Sequence, residues 1–193
     1  MNSSTSKTTM AATIVASLAA LVSAPSAAAR QAAAPDTNIW MRVVQLGQVP
    51  GFWSFNCPIG VANAAAWTQG DAVEATALQS EGFRGGVREL LRSKSGDTGV
   101  SVALTFGSAA DAQADLDRRE QLAVHAGYAV NFAVPGSPSV RAYTVRGSGS
   151  TTARVAFIRG ATEYAVAVAA AKSTDIDVLQ RALAATVSRV AGR

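Results

Sequence analysis

The sequence predicts an α+β fold, a two-layer sandwich in which a mainly antiparallel sheet of about five to six strands carries helices packed on it. Three observations predict it. Residues 99–106 and 163–170 alternate apolar and small or polar side chains, the period of a strand with two distinct faces. The joins GSGS at 147–150 and Gly160-Ala161 are too short for a crossover helix, so the strands they link are antiparallel neighbours. Finally, Ile176, Leu179, Leu183, Val187 and Val190 step by three or four along one apolar stripe, which needs a partner surface such as a sheet face.

The chain opens with a segment of another kind. Residues 2–9 are polar with one cation, Lys7, residues 10–24 are apolar, and small residues surround Ala27, Ala28 and Ala29. That order is how a secretory signal peptide is built. The apolar run falls short of the ~20 residues a membrane-crossing helix needs, which argues against an uncleaved anchor. It lacks a terminal Cys for lipid attachment and a preceding Arg pair. Pro25 disfavours cleavage after Ala24, which leaves Ala27 or Ala29. The expected organisation is therefore a signal peptide over 1–29, a linker over 30–36 containing AAAP, an irregular Trp-rich segment over 37–70 packed on the domain, and the α+β domain over 71–193. The expected location is secreted or extracytoplasmic.

Within 37–70 lie all three tryptophans, Trp40, Trp53 and Trp67, with Phe52 and Phe55 and the chain breakers Pro50, Gly51, Pro58 and Gly60. This reads as wrapping, irregular chain with a short strand at 39–46. A helix follows over 71–80, with Asp71 as its cap, Val73, Ala77 and Leu78 on one side, and Gly82 as its stop. Residues 87–93 fit either a helix face or a strand. The strand is preferred because the turn sequence KSGD and the alternating run 99–106 come next. Ser108 and Asp111 form a near capping box for a helix running to Gly127, in which Ala109, Ala112, Leu116 and Ala123 can face the sheet. Asp111, Asp115 and Asp117 suit the N-terminal half of its dipole, and Arg118 and Arg119 lie nearer the other end. Strands over 128–134, 140–146, 151–158 and 163–170 form a meander. In the last of these, Tyr164, Val166, Val168 and Ala170 oppose Ala165, Ala167 and Ala169. The small second face suits a closely packed helix or an open solvent face. The closing helix is capped by Ser173 or Thr174 and carries Asp175 and Asp177 in its first turn.

The segments GFRGGVRELL at 82–91, FGSAADAQADL at 106–116, FAVPGSPSVRAY at 132–143 and VAFIRGATEYAV at 155–166 resemble a group of small exported actinobacterial proteins of uncharacterised function. The resemblance spans about residues 75–170 and implies an α+β sandwich of the PsbP and Mog1 type. Its motifs are turn glycines, a helix cap and a sheet meander, so it brings no functional residues with it.

Composition narrows the function classes. The net charge is +4, of which the signal peptide holds Lys7, and the cations are mostly Arg scattered without a basic run. The densest cluster is Arg84, Arg88, Arg92 and Lys94, too sparse for a nucleic-acid face. Cys57 is the only cysteine, so no internal disulfide forms, and a buried small hydrophobe is its simplest role. His125 is the only histidine, and an imidazole meeting the negative end of a helix explains it without catalysis. One His and one Cys cannot make the usual zinc sets, and no EF-hand loop is present, so neither metal nor cofactor is expected. The glycine-rich pieces lack the helix N-terminus that a phosphate cradle requires. Glu89 and Glu163 would serve as a glycosidase pair only if the fold brought them together.

The remaining feature is aromatic. Trp40, Phe52, Trp53 and Phe55 are candidates to line a groove for an envelope glycan, lipid or protein, and covering an open sheet face is the alternative. The expected function is a non-enzymatic binding or accessory module. An enzyme of unrecognised type, such as a hydrolase, and a structural or self-associating protein are the alternatives.

Overall fold

The structure is a computed structural model. It describes residues 38–125, 129–137, 139–147, 149–171 and 175–191, so the expected signal peptide and linker, Gly127, Tyr128, Ser173 and Thr174 lie outside the described residues. The elements are α1 (Ile39–Gly47), β1 (Phe52–Ser54), β2 (Ile59–Val61), α2 (Ala64–Trp67), α3 (Ala72–Ser80), β3 (Phe83–Ser93), β4 (Thr98–Phe106), α4 (Ala109–His125), β5 (Ala129–Asn131), β6 (Arg141–Arg146), β7 (Ser150–Arg159), β8 (Thr162–Ala171) and α5 (Ile176–Ala191).

The eight strands form one sheet in the order β1-β3-β4-β8-β7-β6-β5, with β2 also on β3, and every pairing is antiparallel. The α+β class holds, and the sheet exceeds the expected five to six strands. The additions are the short pair β1 and β2, which run in the same direction along one edge of β3, while the strand expected over 128–134 is present as the shorter β5. β1 and β2 are in effect a single edge strand interrupted at 55–58. There the Asn56 side chain accepts the Leu90 N–H at 2.8 Å, a ladder bond that backbone would otherwise make. Such an interruption blunts an open edge against pairing with another chain.

Helices lie on both faces, so a helical layer covers each side of the sheet. On one face α1 and α5 bury Val43, Leu46, Leu179, Leu183, Val187 and Val190 against Tyr164, Val166, Val168, Val155 and Phe157. Arg42 Nη1 donates to the Val190 carbonyl at 3.0 Å, satisfying the end of α5, and Ser101 Oγ donates to the Val43 carbonyl at 2.7 Å under α1. On the other face α2, α3 and α4 cover the sheet less completely. Ala64, Ala75, Leu78 and Ala112 meet Leu104 and Phe106, and Leu116 rests on Ala156 and Ala165. On the small face of β8 a helix packs close at Ala165, while Ala167 and Ala169 are half-buried.

Several local expectations are corrected. Residues 39–46 are helical, not a strand, because Ile39, Val43 and Leu46 share a helical stripe that docks on the core. Leu78 is buried as expected, whereas Val73 is exposed and α3 buries Glu74 and Ala75 in its place. Ala109 is likewise exposed at the start of α4. Strand β4 is not half-buried with one solvent face. Ser101 and Ala103 are fully covered by α1, since β4 is central and has helices on both sides. Asp175 accepts the N–H groups of Asp177 and Val178 and so caps α5. As expected, the Asp71 carboxylate caps α3 through Val73 N and Glu74 N, and Ser108 Oγ accepts from Asp111 N at the start of α4.

Close packing requires glycine at position 86. A Cβ on Gly86 would sit 2.7 Å from the Trp67 ring and 2.9 Å from the Ala103 carbonyl oxygen of the neighbouring strand. Gly86→Ala is therefore expected to cost about 1–3 kcal/mol, read as a lower urea midpoint at unchanged slope.

Candidate binding surface

The four aromatic candidates do not form one groove. Register decides their sides. Phe52 pairs with Ser93 and turns toward the α1 face, where it packs half-buried on the main core. Trp53 pairs with Arg92 and lies on the opposite face. Phe55 is two residues further on, its N–H donating to the Leu90 carbonyl, and falls on the same face as Trp53. Trp40 projects from α1 at the sheet edge, its ring 3.1 Å from where a Cβ on Gly60 would stand. Phe52 therefore belongs to the core and not to a surface site. Trp40, Trp53 and Phe55 remain 50%, 44% and 61% exposed, while Trp67 is half-buried beneath Arg88 and against Phe83.

The face that carries Trp53 and Phe55 holds further residues which linear reading did not join to them. Ile59 pairs with Arg88 and Trp53 with Arg92, so across β1, β2 and β3 apolar and cationic side chains alternate on one side: Ile59, Arg88, Leu90, Arg92, Trp53. Ile59 is 46% and Leu90 41% exposed. Half-buried Val100 and Ala167 continue the apolar strip across β4 and β8, because Leu90 pairs with Val100 and Val100 with Ala167. Helix α4 does not extend over this end of the sheet, since its contacts are with Leu104, Val102, Ala156 and Ala165. The Arg92 guanidinium lies 5.7 Å from the Phe55 ring centre and the Arg88 guanidinium 5.8 Å from that of Trp67. Among the described residues neither arginine is paired with a carboxylate. The one acidic residue of β3, Glu89, is on the other face beside Gly47. The result is an exposed, cationic, aromatic surface. The signal for it was the Arg88-Leu90-Arg92 period, which has this meaning only once 87–93 is a strand.

Of the charged residues matched to the dipole of α4, Asp115 and Arg118 are buried and Arg119 is half-buried. Arg118 reaches Glu74 of α3 and Glu81, which caps the end of α3, at 2.7 Å each, and Asp115 at 2.5 Å. Arg119 binds Glu74 and Asp115 at 2.7 Å each, and Arg154 of β7 pairs with Glu163 of β8. Asp115 and Glu163 are fully buried. Burial opposes the Asp115 charge, but Arg119 and Arg118 outweigh it and hold the group down to about 2. For Glu163, burial and the neighbouring Asp115 outweigh Arg154 and push it up to about 7, and burial likewise pushes Glu81 up to about 7. Three guanidinium groups face four carboxyls, so one carboxyl holding a proton near neutral pH balances the cluster. This network ties α3 to α4 and α4 to the sheet.

The remaining single residues do not converge. Cys57 is exposed in the 55–58 interruption rather than buried, since its neighbours are an edge loop. His125 is exposed at the end of α4, its Nδ1 2.8 Å from the Gln121 carbonyl oxygen. It lines a shallow depression with Asp117, Glu120, Gln121 and Val124, where Arg141 approaches Glu120 at 3.6 Å, and no serine, threonine or cysteine lines it. Cys57 borders the β3 edge, whereas α4 delivers His125 beside β6, on the far side of β4, β8 and β7. Glu89 and Glu163 lie on opposite faces of the sheet and cannot act as a pair. Among the described residues no group of three or more metal-ligating side chains occurs, and no helix is long and apolar enough to cross a membrane.

No family model and no curated protein matches the chain. Among solved structures, the extracellular domain of PknH from Mycobacterium tuberculosis is similar at a TM-score of 0.48 and 14% identity, over 79% of this chain and 91% of that one. A likeness at that level carries no argument about function.

Proposed function

We propose that this chain is an exported, non-enzymatic binding module of the cell envelope or its exterior, and that its ligand surface is the aromatic and arginine-bearing sheet face around Trp53 and Phe55. The observation that carries the reading is the exposure of Trp53, Phe55, Ile59 and Leu90 together on one face, beyond the reach of α4. Exposed apolar area gathered in one place marks an interaction surface, whereas scattered exposed residues do not. Large aromatic side chains with arginine are also the residues that dominate binding energy at interfaces. The export part rests on the order of residues 1–29. The non-enzymatic part rests on the separation of Cys57 from His125 and of Glu89 from Glu163.

The purified protein is expected to co-sediment with an envelope fraction from the cells that make it. The double variant Trp53→Ala/Phe55→Ala should bind at least about tenfold more weakly while keeping its unfolding midpoint. Undiminished binding by a folded double variant would overturn the assignment of the surface.

A further inference from the structure

We infer that the partner of this face is an anionic lipid surface, on which the sheet edge lies with its aromatic side chains at headgroup level. The inference rests on the preceding reading of the face as a binding surface and adds the chemistry of what it binds. The argument comes from the composition of the face and from its charge. A glycan surface needs flat aromatic rings and hydrogen-bonding groups. Here the rings of Trp53 and Phe55 are joined by the aliphatic side chains of Ile59 and Leu90, which give a sugar little and an acyl boundary a great deal. Exposed tryptophan beside arginine is the pairing that suits a membrane interface, where the ring sits between apolar and wet layers and the arginine stem lies on apolar surface with its head in water. Arg88 and Arg92 alternate with these apolar side chains on the same face, and no described carboxylate neutralises them. A positive, apolar face complements a negatively charged bilayer surface. The same arginines disfavour a second copy as the occupant, because a two-fold contact through this face would set Arg88 and Arg92 against their own images.

The test measures binding of the purified protein to vesicles of pure phosphatidylcholine and to vesicles of equal parts phosphatidylcholine and phosphatidylglycerol, read by flotation and by a blue shift of tryptophan emission. The apolar residues 10–24 could themselves enter a bilayer, so the decisive quantity is the difference between the parent chain and variants that share that segment. The expected result is preference for the anionic vesicles and weakening by added salt. Arg92→Ala should bind about fivefold more weakly, Arg92→Lys should retain most of the affinity, and Trp53→Ala/Phe55→Ala should lose the blue shift. Equal binding to both vesicle types, or anionic binding unchanged by Arg92→Ala, would overturn the inference. Absence of vesicle binding combined with envelope co-sedimentation that still depends on Trp53 and Phe55 would overturn the lipid partner and leave the binding surface standing. Absence of both would overturn the two together. Concentration-dependent dimerisation abolished by Trp53→Ala/Phe55→Ala would overturn the lipid partner in favour of a second copy.

Discussion

Replacing Arg118 by alanine is expected to destabilise the protein by about 3–5 kcal/mol, the largest effect of any single substitution considered. The guanidinium of Arg118 is buried and bonds three carboxylates, Glu74, Glu81 and Asp115, from two helices. Without it those groups face one another in a low-dielectric setting, with only Arg119 left to bind Glu74 and Asp115. Breaking a buried ion network by removing one partner costs far more than the network contributes as a whole, because uncompensated charge is left behind. Urea denaturation at neutral pH measures the loss. The loss should shrink toward pH 5, where the orphaned carboxyls take up protons and no longer repel. A loss below 1 kcal/mol, or one that does not vary with pH, would show that the network carries little of the α3–α4 contact.

The second expectation is a stability maximum on the acid side of neutrality. Glu163 has a folded pKa of about 7 against an ordinary value of 4.5, because burial and Asp115 disfavour its charge. Between those two values the unfolded chain has released this proton and the folded chain has not. Stability therefore falls as pH rises from about 4.5 to about 7 and is level with respect to this group above that. A shift of that size corresponds to about 3 kcal/mol. Glu81 shifts in the same direction and adds to the same limb. Asp115 acts in the opposite sense. Its folded pKa of about 2 lies below the ordinary 3.8, so its contribution is present above 3.8 and is lost as pH falls through 2. Unfolding free energy should thus peak near pH 4–5 and decline toward pH 7.5. Glu163→Gln should flatten the neutral limb to the part owed to Glu81 and to Glu89, which burial also pushes up. A parent protein whose stability rises from pH 5 to pH 7.5 would show that Glu163 is ionised in the fold.

Both expectations involve Asp115, which the sequence places among dipole-compensating residues of an acidic helix and the fold buries. Asp115, Arg118 and Arg119 look like dipole-compensating surface residues of an acidic helix, and for an isolated helix that is the correct physics. They are buried because α3 lies across α4 and presents Glu74 and Glu81 to it. That contact joins residues about forty apart in sequence and leaves no periodic trace. Helix α1 was hidden for a related reason. Its stripe of Ile39, Val43 and Leu46 is short and sits in aromatic- and proline-rich surroundings, so it is identifiable as a helix mainly by what it docks on.

The features legible in the amino-acid sequence are local. Strand alternation, turn glycines and the capping residues Asp71 and Ser108 are decided within a few residues by backbone sterics and by nearby donors and acceptors, and the apolar stripe of α5 follows from helical period alone. These were enough for the α+β class and for most element positions from residue 71 onward. The tertiary structure decided which face each strand turned outward and which helix covered it. A one-residue change of register exchanges the two faces of a strand. It is the pairing of Phe52 with Ser93 that sends Phe52 into the core and places Trp53 and Phe55 beside Arg92. The candidate surface is a property of that register and of where α4 ends, and neither is written in any single segment of the chain.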